Sequence, residues 1–241
     1  YLQENNKITE EYFKDTRELQ TKIFKEIKSK IKLSDESLKF KDHRYYYWTK
    51  TTEEGNYVKY LRQKIDSSET EIYFDGDKEK KSSKSKYFGL GTISVSHDDK
   101  LMAYTVDLKG SEYYDIFLRD LSTNKLVDDK IENTSGNITW SLDSKSFFYT
   151  PLDKFHRSKK IYYHIIGKSS KDDQLIFEEK DDSFSVNISL TSDEKFFVIS
   201  TSDSNTVEEY FFSSNDEKIE PKLFQKRERS IKYSIDSWKN H

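Results

Sequence analysis

Three stretches of the sequence, ISVSHDDKLMAYTVD (93–107), ITWSLDSKSFFYTPL (138–152) and ISLTSDEKFFVISTS (188–202), repeat one pattern at intervals of 45 and 50 residues. In each stretch, two runs of alternating apolar and polar residues flank a polar turn, a pattern that predicts two antiparallel strands. A hydroxyl residue, an aspartate and a lysine recur in the turn at steps of two residues. These turn residues are Ser96, Asp98 and Lys100 in the first copy, Ser141, Asp143 and Lys145 in the second, and Thr191, Asp193 and Lys195 in the third.

Each copy is followed by a second pair of strand-like runs, so that every repeat contains four short strands. The runs are YYDIFLRDL and KLVDDKI, then KKIYYHIIG and DQLIFEE, then VEEYFFS and PKLFQK. Four strands in 45–50 residues is the period of a β-propeller blade, and residues 43–75 add a weaker copy. We therefore predict a mainly β fold, a partial β-propeller of about four blades over residues 35–241.

The recurrent aspartates could be metal ligands or turn residues. Their regular position between two strands predicts that each carboxylate accepts hydrogen bonds from the amides of its own turn. Because the three residues lie tens of positions apart, one in each blade, we expect them to be distributed around a propeller. A structural role is therefore the favoured interpretation.

The first 34 residues have a different period. Apolar residues recur at steps of three and four, which predicts an amphipathic helix over about residues 8–32 with Thr9 as its N-cap. The polar face carries charges of both signs, which favours packing on protein over binding to a membrane surface. The predicted apolar stripe consists of Tyr12, Leu19, Ile23, Ile27 and Ile31, broadened by Phe13 and Phe24.

The composition favours a folded domain with a polar surface. The net charge is −3, which gives no general attraction to nucleic acid or membrane, and aromatic residues make up 15% of the chain, more than disordered chains carry. The sequence has no cysteine and no long apolar run, so we expect no disulfide, no membrane span and a cytoplasmic location. The lysine-rich segment 76–86 is predicted to be a solvated loop.

Known active-site motifs are missing from the sequence. It contains no Gly-x-Ser-x-Gly elbow, no His-Glu-x-x-His zinc motif, no P-loop and no EF-hand loop. The five histidines, His43, His97, His156, His164 and His241, have no second metal-ligating residue at helical or turn spacing. We therefore predict no catalytic, cofactor-binding or metal-binding residue in this chain, and no cofactor.

Six segments, in order along nearly the whole chain, carry a resemblance to a known family. They are YLQENN (1–6), LQTKIFKEIKSKI (19–31), LGTISVSHDDKLMAYTVDLKGSEYYDIFLRDL (90–121), HRSKKIYYHIIG (156–167), LIFEEKDDSFSVNISLTSD (175–193) and YSID (233–236) after QKRERS. With these segments the chain resembles the N-terminal part of the oligopeptidase B (protease II) group of the prolyl oligopeptidase family of serine peptidases. The family turns often read Ser-Pro-Asp-Gly, whereas SHDD, SLDS and TSDE stand here. Because the hydroxyl and the aspartate remain, we expect the turns to survive.

This resemblance implies a two-domain enzyme in which a seven-bladed propeller restricts the access of peptides to an α/β-hydrolase domain. Such enzymes cleave short peptides after Arg and Lys. The resemblance implies that residues 1–34 pack with the hydrolase domain and that residues 35–241 form about four of the seven blades. The Ser, Asp and His of the catalytic triad lie in the family's C-terminal part, which is absent from this chain, so we expect the fragment to be inactive alone.

The resemblance and the incomplete propeller together imply the partners of the chain. We expect the hydrolase domain, short basic peptides in the full-length enzyme, and self-association through open sheet edges. The alternative is a stand-alone propeller-like module, from a split or truncated gene, that binds a protein or peptide without a hydrolase partner. A nucleic-acid-binding propeller that uses the lysines of residues 78–86 is a third hypothesis, which the net charge disfavours.

Overall fold

The computed structural model of the protein describes residues 1–216 and 218–239. The chain divides into two compact units, Tyr1–Asp77 and Lys78–His241. The first unit contains the helical segment and one antiparallel sheet, and the second contains the three sequence repeats. The fold is mainly β after an N-terminal helical segment, as the sequence predicts.

The N-terminal helical segment forms two helices instead of one. Helix α1 spans Leu2–Tyr12 and helix α2 spans Arg17–Lys30, with a 3-10 turn at Lys14–Thr16 between them. The predicted N-cap is wrong, because Thr9 lies inside α1 and its hydroxyl donates to the Asn5 carbonyl oxygen (3.0 Å). The break contains an Asp-Thr pair, residue types that favour helix starts over helix interiors.

The apolar side chains of α1 and α2 remain exposed, and no residue of either helix is buried. The apolar face of a surface helix normally packs on a neighbouring element. In α2 and at its C-terminal end the exposed apolar side chains are Leu19, Ile23, Phe24, Ile27 and Ile31. This set, called the α2 stripe below, is therefore a surface that a partner can cover.

The first unit contains an antiparallel sheet in the order β1-β3-β4-β5, with β2 also pairing with β3. The strands predicted in residues 43–75, the weaker copy of the repeat, are present as β3, β4 and β5. These strands are rich in aromatic residues, a residue class that favours strands, and Tyr47, Trp48 and Phe74 are buried. The strands are β1 Asp35–Glu36, β2 Phe40–Asp42, β3 Tyr45–Thr51, β4 Lys59–Lys64 and β5 Thr70–Asp75.

Most of the predicted loop at residues 76–86 is helical instead. Helix α3 spans Gly76–Ser83. Its centre, Lys78–Lys81, consists of Lys and Glu, which favour a helix, whereas the less favourable Gly76, Asp77 and serines lie at its two ends. Asp77 near its start and Lys80 and Lys81 in its last turn also suit the helix dipole. Apolar periodicity could not reveal this helix, because it has no apolar face.

The second unit contains three repeats of four antiparallel strands, arranged in one seven-stranded sheet and one four-stranded sheet. The strand pairs predicted after each copy of the repeat are all present. In chain order the strands are β6 Gly89–Val95, β7 Leu101–Asp107, β8 Tyr114–Asp120, β9 Lys125–Trp140, β10 Ser146–Pro151, β11 Lys160–Ile165, β12 Gln174–Glu178, β13 Ser185–Leu190, β14 Phe196–Ser202, β15 Val207–Ser213 and β16 Lys222–Gln225.

Strand β9 belongs to two repeats. Its 16 residues pair with β8 as the last strand of the first repeat, and with β10 as the first strand of the second. Gly136 lies close to the position where the pairing passes from β8 to β10; its φ is +87° and a Cβ would lie 3.1 Å from the ring of Tyr114. Only glycine meets both requirements at this position.

The core lies between neighbouring repeats, and β10 contributes to both of its parts. Successive side chains of a strand point to opposite faces. Phe147 accordingly joins a cluster with Ile116, Leu118 and Trp140, whereas Phe148 joins a cluster of the second and third repeats. The second cluster contains Phe148, Ile161, Val186, Ile188, Phe197, Ile199 and Phe212.

Candidate functional site

The recurrent aspartates organise the first turn of each repeat, as the sequence predicts. Ser96 Oγ donates to Asp98 Oδ1 (2.7 Å), and the Lys100 N–H donates to the same oxygen (3.2 Å). The same two bonds recur in Ser141–Asp143–Lys145 and in Thr191–Asp193–Lys195. Because the carboxylates bind the hydroxyl and amide groups of their own turns, their role is structural.

The residue after each of these aspartates adopts a left-handed backbone conformation. Asp99, Ser144 and Glu194 have φ values of 60°, 59° and 59°. These are the positions at which the related turns often carry glycine. A side chain in this conformation costs roughly 1–2 kcal/mol, a cost that glycine avoids. The turns survive as predicted, held by the hydroxyl and the aspartate.

Replacing Glu194 with glycine is expected to relieve this backbone strain. The variant Glu194→Gly should have a free energy of unfolding about 0.5–1 kcal/mol higher than that of Glu194→Ala, after allowance for the greater chain entropy of glycine in the unfolded state. Both variants remove the same side chain and its contact with His97, so the comparison isolates the backbone. Urea unfolding measures the difference, and equal stabilities would show that this position carries no strain.

A second set of aspartates, missed by the sequence analysis, lies at the opposite end of the repeats. Asp107, Asp153 and Asp203 stand at the start of the connection between the second and third strands, and each accepts backbone N–H bonds from that connection. Asp107 Oδ1, for example, accepts from Lys109 (2.8 Å) and Gly110 (3.0 Å). They follow the aspartates of the first set by nine residues in the first repeat and by ten in the other two. Because of this difference of one residue, they do not fall in one column when the three repeats are aligned without gaps.

His164 on β11 is fully buried, with 0% of its surface exposed, between two carboxylates. Its Nδ1 lies 2.8 Å from Asp173 Oδ1, and its Nε2 lies 3.0 Å from Asp129 Oδ2. Since each nitrogen needs a proton to donate to a carboxylate, the geometry favours an imidazolium. Burial lowers the pKa of the ring, but hydrogen bonds and charges of the two aspartates outweigh burial, and the pKa lies above its ordinary value.

This His164 cluster joins two repeats. Asp129 lies on the part of β9 that belongs to the first repeat, whereas Asp173 directly precedes β12 of the second. The Gly167 N–H also donates to Asp129 (2.7 Å), and the Tyr149 hydroxyl donates to Asp173 (2.8 Å). With both ring nitrogens engaged, His164 cannot also act as a general base or bind a metal.

The stabilising effect of His164 is expected to depend on pH. The pKa of His164 is raised in the folded protein. Its contribution to the free energy of unfolding is therefore fully present below about pH 6.5, the ordinary pKa of histidine, and is lost as the pH rises through the folded-state pKa. We expect the stability difference between the wild type and His164→Gln to shrink as the pH is raised from 6 to 9. Denaturation at several pH values measures it, with His156→Gln as the matched control. A difference that is constant or grows over this range would contradict the prediction.

Three other histidines contact residues of their own unit. His97 Nδ1 lies 3.9 Å from Glu194 Oε1, and the His156 ring stacks on Tyr113 with 4.1 Å between centroids. His43 lies beside Asp42 in the first unit (3.7 Å). His241 is outside the described residues. These contacts assign no chemistry to the chain, and the prediction that it holds no catalytic, cofactor-binding or metal-binding residue stays a prediction.

A cleft of about 480 Å³ lies beside the second repeat. Its walls combine Leu152 and Tyr162 with charged residues of both signs. Arg157 bridges two of the acidic residues, since its Nη2 lies 2.7 Å from Asp153 Oδ2 and its Nη1 lies 2.8 Å from Asp182 Oδ2. Four basic and four acidic side chains line the cleft, so it is polar without a dominant sign of charge.

Glu179, one of the cleft residues, also belongs to a buried ion-pair cluster. Nη2 of Arg227 lies 2.5 Å from Glu179 Oε2 and 3.0 Å from Glu208 Oε1. The Arg227 Cζ lies 4.0 Å from the centroid of the Phe184 ring. We call Glu179, Glu208 and Phe184 the guanidinium pocket. No sequence pattern reveals this pocket, because Glu179 and Phe184 lie between β12 and β13 whereas Glu208 lies on β15.

Both carboxyl groups of the guanidinium pocket are held in the ionised form. Burial raises the pKa of Glu179, but hydrogen bonds from Thr201, the Asp181 amide and Arg227 outweigh it, and the pKa lies below its usual value. The balance is the same for Glu208, where bonds from Arg227 and Tyr210 outweigh burial. The pocket is therefore an anionic site in the second unit.

The repeats of four antiparallel strands are those of a β-propeller protein. Within that class, the chain belongs to the family described as prolyl oligopeptidase, N-terminal beta-propeller domain, which it matches over residues 1–241. Oligopeptidase B from Leishmania major superposes with a TM-score of 0.85 at 23% identity, over 95% of this chain and 33% of that one. Oligopeptidase B from Trypanosoma brucei, with covalently bound antipain, superposes with a TM-score of 0.82 at 25% identity, over 95% and 32%.

Two curated relatives give the same assignment. Dipeptidyl aminopeptidase BI of Pseudoxanthomonas mexicana is 28% identical over 83% of this chain and 30% of its own length. Protease 2 of Moraxella lacunata is 25% identical over 100% of this chain and 36% of its own length. The predicted family resemblance and fold class are thus confirmed, and the chain spans about a third of the length of these relatives. In the described residues, no helix has the length and apolarity needed to cross a membrane.

Proposed function

We propose that this chain is the N-terminal propeller portion of a cytoplasmic serine peptidase similar to oligopeptidase B. The proposed enzyme cleaves short peptides after Arg or Lys, and its propeller restricts access to the active site. The likeness to two oligopeptidase B structures over 95% of this chain carries the proposal. The alignment of protease 2 over the whole chain supports it.

In this proposal the chemistry is supplied by an α/β-hydrolase domain outside the 241 residues. The relatives are about three times as long as this chain, which leaves room for such a domain. Among the described residues, His164 is the histidine held by two carboxylates, and both of its ring nitrogens are engaged by them. The contribution of the chain is thus to select and admit the substrate.

The proposed contact with the hydrolase domain is made through the helical segment, residues 1–34. The α2 stripe is apolar and exposed, and covering it would remove several large side chains from water. Charged residues of both signs, among them Glu18 in the first turn and Lys28 and Lys30 in the last, share α2 with the stripe, and polar residues are typical of the rim of a protein interface. Ile23→Asp combined with Ile27→Asp should therefore weaken the association and leave the β-sheets folded.

We also propose that the chain self-associates when it is produced alone. Strands β6, β12, β13 and β16 end the two sheets of the second unit, and such edges can pair with strands of another molecule. Size-exclusion chromatography with light scattering should show dimers or larger species at micromolar concentration. A monomer at that concentration would contradict this part of the proposal.

The peptidase function is tested by combining the chain with the hydrolase portion of protease 2 from Moraxella lacunata. The chain alone should not hydrolyse chromogenic peptides, whereas the mixture should cleave Arg and Lys peptides and leave a norleucine peptide intact. The Ile23→Asp, Ile27→Asp variant serves as the control that folds without restoring activity. Inhibitor-sensitive hydrolysis by the chain alone would overturn the proposal that the hydrolase domain supplies the chemistry. Peptide binding by the chain without any hydrolase portion would favour the stand-alone binding module.

A further inference from the structure

The guanidinium pocket has the features of a recognition site for an arginine side chain. Glu179 and Glu208 are only 7% and 5% exposed, and both accept from the same guanidinium nitrogen. The Cζ of that guanidinium lies over the Phe184 ring, 4.0 Å from the ring centroid. A cation–π contact with a ring together with two carboxylate partners suits arginine, whose planar guanidinium carries several donors, whereas the ammonium of lysine is a compact point charge without a planar face.

The walls of the pocket are held in place by groups other than the arginine. Thr201 Oγ1 donates to Glu179 Oε2 (2.6 Å), and the Tyr210 hydroxyl donates to Glu208 Oε1 (2.7 Å). The Asp181 N–H donates to the second oxygen of Glu179 (2.8 Å). Without Arg227, two oriented and buried carboxylates would therefore remain beside an aromatic ring.

The arginine that fills the pocket lies on a weakly anchored segment. Residues 226–230 form no strand, and all of them except Arg227 are exposed. Besides the Arg227 side chain, two bonds tie the segment to the sheet: the Arg227 N–H to Glu208 Oε2 (2.8 Å) and the Ser230 N–H to Thr206 Oγ1 (3.2 Å). A segment with so few contacts can open locally while the sheet stays folded.

The pocket also adjoins a space that can hold the rest of a peptide. Glu179 lines the cleft of about 480 Å³ as well as the guanidinium pocket. This volume accommodates a short peptide segment, and the cleft walls offer both donors and acceptors for its backbone. An arginine side chain in the pocket could therefore continue into a main chain that lies in the cleft.

We infer that the guanidinium pocket is a binding site for arginine-containing peptides, occupied in cis by Arg227 and released to a peptide arginine when residues 226–230 lift away. The inference rests on the proposed function only for the choice of a peptide as the ligand. A residue tethered by a short segment competes at an effective concentration of roughly millimolar. Wild-type protein should therefore bind such peptides weakly, and removing Arg227 should tighten binding by about 100-fold.

The test compares Arg227→Gln with Arg229→Gln, which changes an exposed arginine of the same segment. The probe is the tripeptide Ac-Ala-Arg-Ala-NH2, with lysine and norleucine versions, titrated by calorimetry. Arg227→Gln should bind the arginine peptide about 100-fold more tightly than the wild type, and the lysine peptide at least about tenfold more weakly than the arginine peptide. Arg229→Gln should bind like the wild type, and adding Glu179→Gln to Arg227→Gln should abolish the gain.

A second measurement covers the case in which Arg227→Gln folds poorly. Agmatine, which carries a guanidinium, should raise the melting temperature of Arg227→Gln and of Arg227→Lys, whereas the diamine putrescine should not. Equal effects of the two amines, or no gain in peptide affinity without Arg227, would show that Arg227 is only a structural ion pair and overturn the inference. Since both readouts are binding, a failure to restore peptide hydrolysis would count against the proposed function and not against this site.

Discussion

Replacing His164 with leucine is expected to lower the free energy of unfolding of the second unit by about 3–5 kcal/mol, the usual cost of removing one partner from a buried ion pair. The variant leaves Asp129 and Asp173 buried without the cation between them. Leucine fills most of the space of the ring, so the loss would report the unpaired charges more than a cavity. This is one of the two largest effects that we expect from a single substitution in the chain.

The charge explanation has its own control. Adding Asp129→Asn and Asp173→Asn to His164→Leu removes the unpaired charges and should restore part of the lost stability. Urea unfolding followed by the fluorescence of Trp140 measures both variants, in a background where Trp48 and Trp238 are phenylalanine. A loss below about 1 kcal/mol for His164→Leu would mean that the His164 cluster is not an important link between the repeats.

The second large effect is expected from Phe148→Ala, with a loss of about 3–5 kcal/mol. Phe148 is 1% exposed and its ring lies 4.8 Å from Phe197, 5.0 Å from Tyr163 and 5.7 Å from Phe212. These rings come from the second and third repeats, so the truncation opens a cavity at the centre of their interface. The cost combines lost burial with the cavity that remains.

Phe155→Ala is the matched control for this prediction, because it makes the same chemical change at a position that is 63% exposed. Its effect on the free energy of unfolding should stay within about 0.5 kcal/mol. Chemical denaturation of the two variants under the same conditions measures the contrast. Similar losses for both would show that the interface between the second and third repeats does not depend on Phe148.

The sequence predicted the strands well because strand formation here is a local property. Alternation of apolar and polar residues is visible within six or seven positions, and the repeat made every strand of the second unit recognisable. The same local rule failed for α3, which has no apolar face, and for the break at Lys14–Thr16, which divides one continuous apolar stripe between two helices. Periodicity detects an apolar face, and neither the formation of α3 nor the position of the helix break is determined by an apolar face.

The candidate site was not predictable, because it is assembled across long separations in the sequence. His164 meets Asp129 across 35 positions, and Arg227 meets Glu179 across 48. Neither pair matches a spacing that a helix or a turn would produce. Such pairs form only when the sheets pack, so the sequence shows the residue types and cannot show that they meet.

The continuous strand β9 also bears on how an array of this kind can grow or shrink. A boundary between the first and second repeats would have to cut through a single hydrogen-bonded strand, whereas residues 179–184 separate the second repeat from the third without any strand. Recombination at that connection leaves β12 and β13 whole, whereas recombination near Gly136 cuts β9 in two. Residues 89–178, a pair of repeats and not a single blade, are therefore the smallest segment in this part of the chain that begins with β6 and ends at a strand-free connection.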